Sequence, residues 1–146
     1  YINTNQSFAF ADGVVTASYG TATAKAHADT TWSQQDSDDG DLPSDKSVGD
    51  IKTRGLKYNL IQTLKQQVAG ILNETDWYIT RNTEKSTAIP SVISTHRDAV
   101  RTTQASIEAQ ITGATDTAAL EILYTYTEQE DGSVTRPLGE LPVLEL

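Results

Sequence analysis

Five aspartates crowd positions 36 to 45: Asp36, Asp38, Asp39, Asp41 and Asp45. Several carboxylate oxygens on one flexible loop are what a calcium ion requires. The EF-hand spacing nevertheless fails. Counted from Asp36, Gly40 falls one place early, and position twelve is Ser47 where a bidentate Glu is needed. The interleaved Ser, Gly and Pro give the whole of 33–50 the composition of a solvated acidic linker.

Other catalytic constellations are thinner still. The two histidines, His27 and His96, are far apart in the chain. Neither has a carboxylate or a second histidine at the spacing a zinc site or facial triad uses. His96 falls on the apolar side of a helical pattern, where a core or interface imidazole is the default. There is no Gly-x-Ser-x-Gly elbow and no phosphate-cradling glycine loop. Glu128 and Glu130 would suit a glycosidase pair in number, but they flank a hairpin tip, where charged residues serve solubility. The expectation is a non-enzymatic protein without metal or cofactor.

A different kind of chemistry stands at Thr75-Asp76-Trp77-Tyr78-Ile79-Thr80-Arg81. A Trp and a Tyr between two amphipathic stretches can act as a packing anchor, burying about 150–250 Å² each. Exposed, the same pair would form a binding hot spot. The anchor is the reading favoured by sequence, with Asp76 capping and Arg81 paired to Asp98 or Glu108. The candidates for protein interaction are Trp77, Tyr78, Arg81 and His96, with Leu141, Val143 and Leu144 of the C-terminal tail.

The elements that must position these residues follow from periodicity. Phe8-Ala9-Phe10 and Val14 to Tyr19 flank Asp12-Gly13, a strong signal for a two-residue hairpin turn. Up to Ala24 the Thr/Ala run reads as strand. Ile51, Leu56, Leu60, Ile61, Leu64, Val68, Ile71 and Leu72 lay an apolar stripe on a helix over about 49–73. Gly55 and Gly70 inside that pattern point to close backbone approach or to nearby helix ends. After a polar loop over 81–88, Ile89-Pro90 opens a second helix over about 90–112, with Val92, Ile93, His96, Val100, Ile107 and Ile111 inward. Asp116 with its Thr neighbours caps a short helix through Leu123. A second Asp-Gly hairpin follows around Asp131-Gly132, and Leu138–Leu146 reads as an extended apolar arm. The expected fold is α+β: an antiparallel helix pair on a small antiparallel sheet made by the terminal hairpins. Its parts are an N-terminal hairpin region (1–32), the acidic linker (33–50), a helical module (51–123) and a C-terminal hairpin and arm (124–146).

Composition limits the partners. A chain of 146 residues holds one domain, or one core with arms, and 37% apolar residues make that core lean, with support from neighbouring subunits expected. A net charge of −9, with eleven scattered basic residues, repels phosphate backbones and anionic lipid heads. Neither nucleic acid nor membrane is an expected partner. No run approaches the roughly 20 apolar residues of a membrane span. The opening residues do not read as a signal peptide, and the absence of Met even at position 1 reads as a chain that is processed, trimmed or without its initiator. No cysteine is present, so disulfides and thiolate chemistry are excluded.

One order of pieces resembles a known module. Thr75-Asp76-Trp77-Tyr78, Arg81, Ala88-Ile89-Pro90, Val92, His96-Arg97, Val100-Arg101 and Glu108 are similar to a stretch of tail-fibre assembly chaperones of tailed bacteriophages. Those proteins carry Thr-Asp-Trp, an interval, then Tyr-Arg-x-x-Leu-Arg. His96 stands here for the Tyr and Val100 for the Leu. The flanks Asp12 to Gly20, Leu123 to Thr127 and Arg136 to Glu140 resemble virion proteins of large marine phages, cyanophages in particular. The resemblance implies a virion structural protein, tail- or tail-fibre-associated and made in the host cytoplasm; the expected partners are other phage structural proteins, copies of itself in a homo-oligomer, or both. It implies as the alternative a transient fibre-assembly chaperone. It carries over no catalytic residue.

Overall fold

The computed structural model describes residues 1–145, so Leu146, the last residue of the predicted arm, lies outside the described residues. Among them are five helices and six short strands, an α+β fold. The chain divides into two compact units, Tyr1–Leu56 and the residues from Lys57 onward.

In the first unit, β1 (Ser7–Ala11) and β2 (Val14–Ser18) pair antiparallel through Asp12-Gly13. Both turn residues have positive φ, 51° and 78°, as a type I′ turn demands and as Asp-Gly supplies cheaply. The ribbon continues past the strands: Gly20 N–H donates to the Thr4 carbonyl, and Ile2 and Thr23 exchange both backbone bonds. β3 (Thr30–Thr31) pairs with β4 (Ile51–Thr53) across a bulge. Between them lies α1 (Gln34–Asp38), started by a capping box in which Ser33 and Asp36 satisfy each other's backbone N–H groups. Residues 33–50 are thus folded where a solvated linker is expected. The reason is local: Ser33, Asp36, Gln34 and Gln35 find hydrogen-bond partners three and four residues away, which substitutes for apolar burial. Asp36 also binds Lys52 of β4, whose ammonium lies 4.4 Å from the centre of the Trp32 ring.

Ile51 belongs to β4 and not to the helical stripe, so α2 (Leu56–Asn73) starts well after residue 49. Gly55 enforces that start. Its N–H donates to Asp29 Oδ1 at 2.8 Å, and a Cβ here would overlap the Ala28 carbonyl. Leu56 N–H then donates to the Ala26 carbonyl.

The second unit holds every buried apolar side chain among the described residues, from Leu64 to Leu138. α4 (Ser91–Gly113) buries Ile93, Val100, Ile107 and Ile111 on one stripe, and α2 buries Leu64 and Val68. Two bonds at opposite ends fix these helices antiparallel: Lys57 Nζ to the Thr112 carbonyl (2.8 Å) and Arg97 to the Leu72 carbonyl (2.7 Å). α3 (Asp76–Lys85) lies between them in sequence, and it runs through the stretch expected to be a polar loop. Its sequence lacks an apolar stripe, but Thr80 and Thr83 bond back to carbonyls one turn earlier, and Ser86 ends it in a left-handed conformation (φ 54°). α5 (Thr117–Tyr124) is capped by Asp116 and buries Leu120. β5 (Thr127–Glu128) and β6 (Val134–Thr135) form the second Asp-Gly hairpin.

The three strand pairs are separate two-stranded sheets, so the two terminal hairpins do not share one. Asp-Gly turns set each pairing locally, and nothing in a two-residue turn selects a distant partner strand.

Candidate protein-interaction site

The α2–α3 corner is the best-defined polar construction in the second unit. Arg97 enters it from α4 and is only 8% exposed. One of its terminal nitrogens donates to the Leu72 carbonyl (2.7 Å) and to Thr75 Oγ1 (2.6 Å); the other meets Asp76 Oδ1 at 2.8 Å. Thr75, itself 2% exposed, donates its hydroxyl to the Leu72 carbonyl at 3.0 Å. A helix that stops leaves its last carbonyls without intrahelical donors. Here a guanidinium and a hydroxyl supply them, and the carboxylate of Asp76 balances the charge. Thr75 makes no side-chain cap bond to α3, because its hydroxyl is committed to this junction.

That clamp holds the first turn of α3, and the turn presents the aromatic pair. Trp77 and Tyr78 lie with ring centroids 3.8 Å apart, tilted by 33°. The Arg81 guanidinium carbon sits 4.6 Å from the Trp77 ring centre and 5.4 Å from that of Tyr78. Such cation–π contacts contribute on the order of 0.5–1 kcal/mol at an exposed site. Trp77 is 50% exposed, so the core assignment from sequence is corrected: the pattern gave an aromatic between helices, but α3 turns its ring toward solvent. Asp76 pairs with Arg97 instead of capping, and Arg81 pairs with neither Asp98 nor Glu108. Asp98 meets Arg101 at 3.3 Å, and Glu108 accepts from Gln104 at 2.8 Å. Arg81 Nε is buried without a hydrogen-bond partner. The platform joins one flat apolar face to one fixed positive charge, which suits a partner with an apolar side chain beside a carboxylate.

The other candidates lie elsewhere in this unit. His96 is buried on α4, as its place on the stripe predicts, and its Nε2 has no hydrogen-bond partner. It lines a shallow cleft of about 480 Å³ with Val92, Pro142, Val143 and Leu144. Leu141 lines a second cleft of about 550 Å³ with Leu64, Ile71, Ile107 and Leu138. The arm therefore packs along its own helices, Leu141 and Leu144 half-buried, while Val143 remains 83% exposed. Arg136 fixes the arm's origin. It forms two bonds to the Glu140 carboxylate at 2.8 Å and lies over the rings of Tyr124 and Tyr126. The Glu140 carboxylate also accepts the Tyr126 hydroxyl at 2.7 Å and thereby holds that phenol protonated above its usual range.

Arg97 and Arg136 were not among the residues expected to matter. For Arg97 a signal existed: position 97 falls on the stripe between Ile93 and Val100, so it faces inward. For Arg136 the hairpin register gave none. The aspartates of 36–45 do not converge, and no group of three or more potential metal ligands occurs among the described residues. Among the described residues no helix is long and apolar enough to cross a membrane.

No family model, curated protein or solved structure matches this chain.

Proposed function

We propose that this protein is a non-enzymatic structural component of a tailed-phage virion, tail- or tail-fibre-associated, that works by binding other virion proteins through the Trp77–Tyr78–Arg81 platform. The observation that carries the reading is the half-exposed Trp77, held under Arg81 on a corner clamped by Arg97. Half-exposed Trp beside Arg is the composition of interface hot spots. The clamp spends a buried arginine on presenting that aromatic face instead of burying it. The phage assignment is supported by the resemblance of Thr75-Asp76-Trp77-Tyr78 and His96-Arg97 to the tail-fibre module.

The same exposed Trp77 favours one alternative, a fibre-assembly chaperone that leaves before the particle is complete. Quantitative mass spectrometry of purified particles separates the two. A structural component is present in fixed stoichiometric copies; a chaperone is absent or at trace level while binding a fibre protein in lysates of infected cells. Absence from particles together with no fibre binding would overturn both.

A further inference from the structure

We infer that the β1–β2 hairpin is a self-association surface that takes the same hairpin of a second copy of this chain. The inference rests on the hairpin alone and is independent of the Trp77 platform.

Every residue of both strands is exposed, Phe8 by 66%, Phe10 by 74% and Val15 by 63%. A lone two-stranded hairpin is at best marginally stable in water, so this one requires a cover. Charge identifies the cover. Asp12 at the turn is the only charged side chain among residues 1–24, in a chain of net charge −9. Copies of so acidic a chain repel one another over most of their surface. The ribbon, charged only at its turn, is where they approach at the least cost.

Register gives the fit. Residues directly opposite in an antiparallel pair share a face, as the Ser7–Ser18 hydroxyl contact of 2.7 Å illustrates. Phe8 stands opposite Ala17 and Phe10 opposite Val15, so one face carries its large side chains on β1 and its small ones on β2. A twofold axis parallel to the strands, midway between two such faces, places β1 of each copy over β2 of the other. Phe8 then meets the second copy's Ala17, and Phe10 meets its Val15. Each contact occurs twice, as in any isologous interface, and large fills small at every position. A twofold across the strands would instead set phenylalanine against phenylalanine.

The face is small. At about 150–250 Å² for each fully buried aromatic, two phenylalanines give at most roughly 300–500 Å² per copy, with the valine a smaller addition. Stable complexes bury roughly 800 Å² per partner, so the association is reversible and concentration-dependent.

Sedimentation equilibrium of the full chain tests this over about 10 µM to 1 mM, a range that brackets weak affinities. The wild type is expected to pass from monomer to dimer and to stop there. Ala17→Phe fills the hollow that receives Phe8 yet adds apolar area and strand propensity; it is expected to stay monomeric. Phe10→Glu and Val15→Lys are each expected to be monomeric alone, and a 1:1 mixture to regain a dimer through the new Glu–Lys contact. Circular dichroism confirms unchanged helices in each variant, since none of these side chains is buried. A wild type that is monomeric throughout, open-ended aggregation, an Ala17→Phe variant that associates as well as wild type, or a mixture that fails to dimerise would each overturn the inference.

Discussion

Trp77, read from sequence as a packing anchor, is half exposed in the folded chain, whereas Arg97, on the stripe between Ile93 and Val100, is buried. Hydrophobicity ranks Trp as interior, but an interior position needs a neighbouring element to cover it, and Trp77, stacked with Tyr78 and Arg81 of its own helix, stays half exposed. Arg97 goes inward because the α2–α3 junction contains a carbonyl, a hydroxyl and a carboxylate that only a multiple donor can satisfy together. This also gives a physical meaning to the spacing of Thr75-Asp76-Trp77 and His96-Arg97: the later arginine secures the earlier corner. Trp77→Ala is expected to cost about 1 kcal/mol of stability or less, the range of a surface change, while partner binding falls by roughly tenfold or more, as for an interface anchor. Arg97→Ala behaves oppositely. It removes the donor to the buried Thr75 Oγ1 and the cation that balances Asp76, and is expected to destabilise by about 2–4 kcal/mol, measured by urea unfolding.

At the scale of elements, both Asp-Gly hairpins, the two long helices and the Asp116-capped helix are legible in the sequence, because each is marked by a local period or a turn residue. α1, α3 and the β3–β4 pair are not, because polar bonds within a few residues or across a bulge carry them, and no apolar pattern announces these. Gly55 and Gly70 look alike in sequence and differ in structure. Gly55 lies against the Ala28 carbonyl, whereas a Cβ on Gly70 meets nothing within 4 Å. Gly70→Ala is therefore expected to stabilise α2 by roughly 0.5–1 kcal/mol, and Gly55→Ala to destabilise the chain, both read from thermal unfolding. Acid should act on the first unit. Gly55 N–H and Arg54 hold the Asp29 carboxyl below its ordinary range, and Lys52 and Ser33 hold Asp36 well below it. Carboxyls lowered on folding stabilise fully above their unfolded value and lose that contribution as pH falls through the folded one. In a Trp77→Phe background, Trp32 fluorescence should stay constant down to about pH 4 and change below it. Asp36→Asn should shift the Trp32 signal already at neutral pH and shrink the acid-induced change.

For the whole molecule, the lean core expected from composition sits wholly in the second unit, and the first is held by hydrogen bonds, ion pairs and a bare hairpin. Residues 57–146 expressed alone should retain helical circular dichroism and cooperative unfolding, and residues 1–56 alone should not. That division was not legible, since the sequence places its composition break at the acidic run and the structure folds the run into the first unit. On the function proposed above, a helical unit that exposes an aromatic platform, joined to a ribbon with a single charge at its turn, serves contact with other proteins. The most direct measurement compares wild-type and Trp77→Ala protein, supplied during infection at equal levels, by quantitative mass spectrometry of purified particles and of fibre-protein complexes in the lysate. At least a tenfold loss of the variant from one of the two, about the effect of removing a hot-spot side chain, with its melting temperature nearly unchanged, is the predicted result. Equal amounts of both proteins in particles and in complexes would contradict an assembly role for this platform.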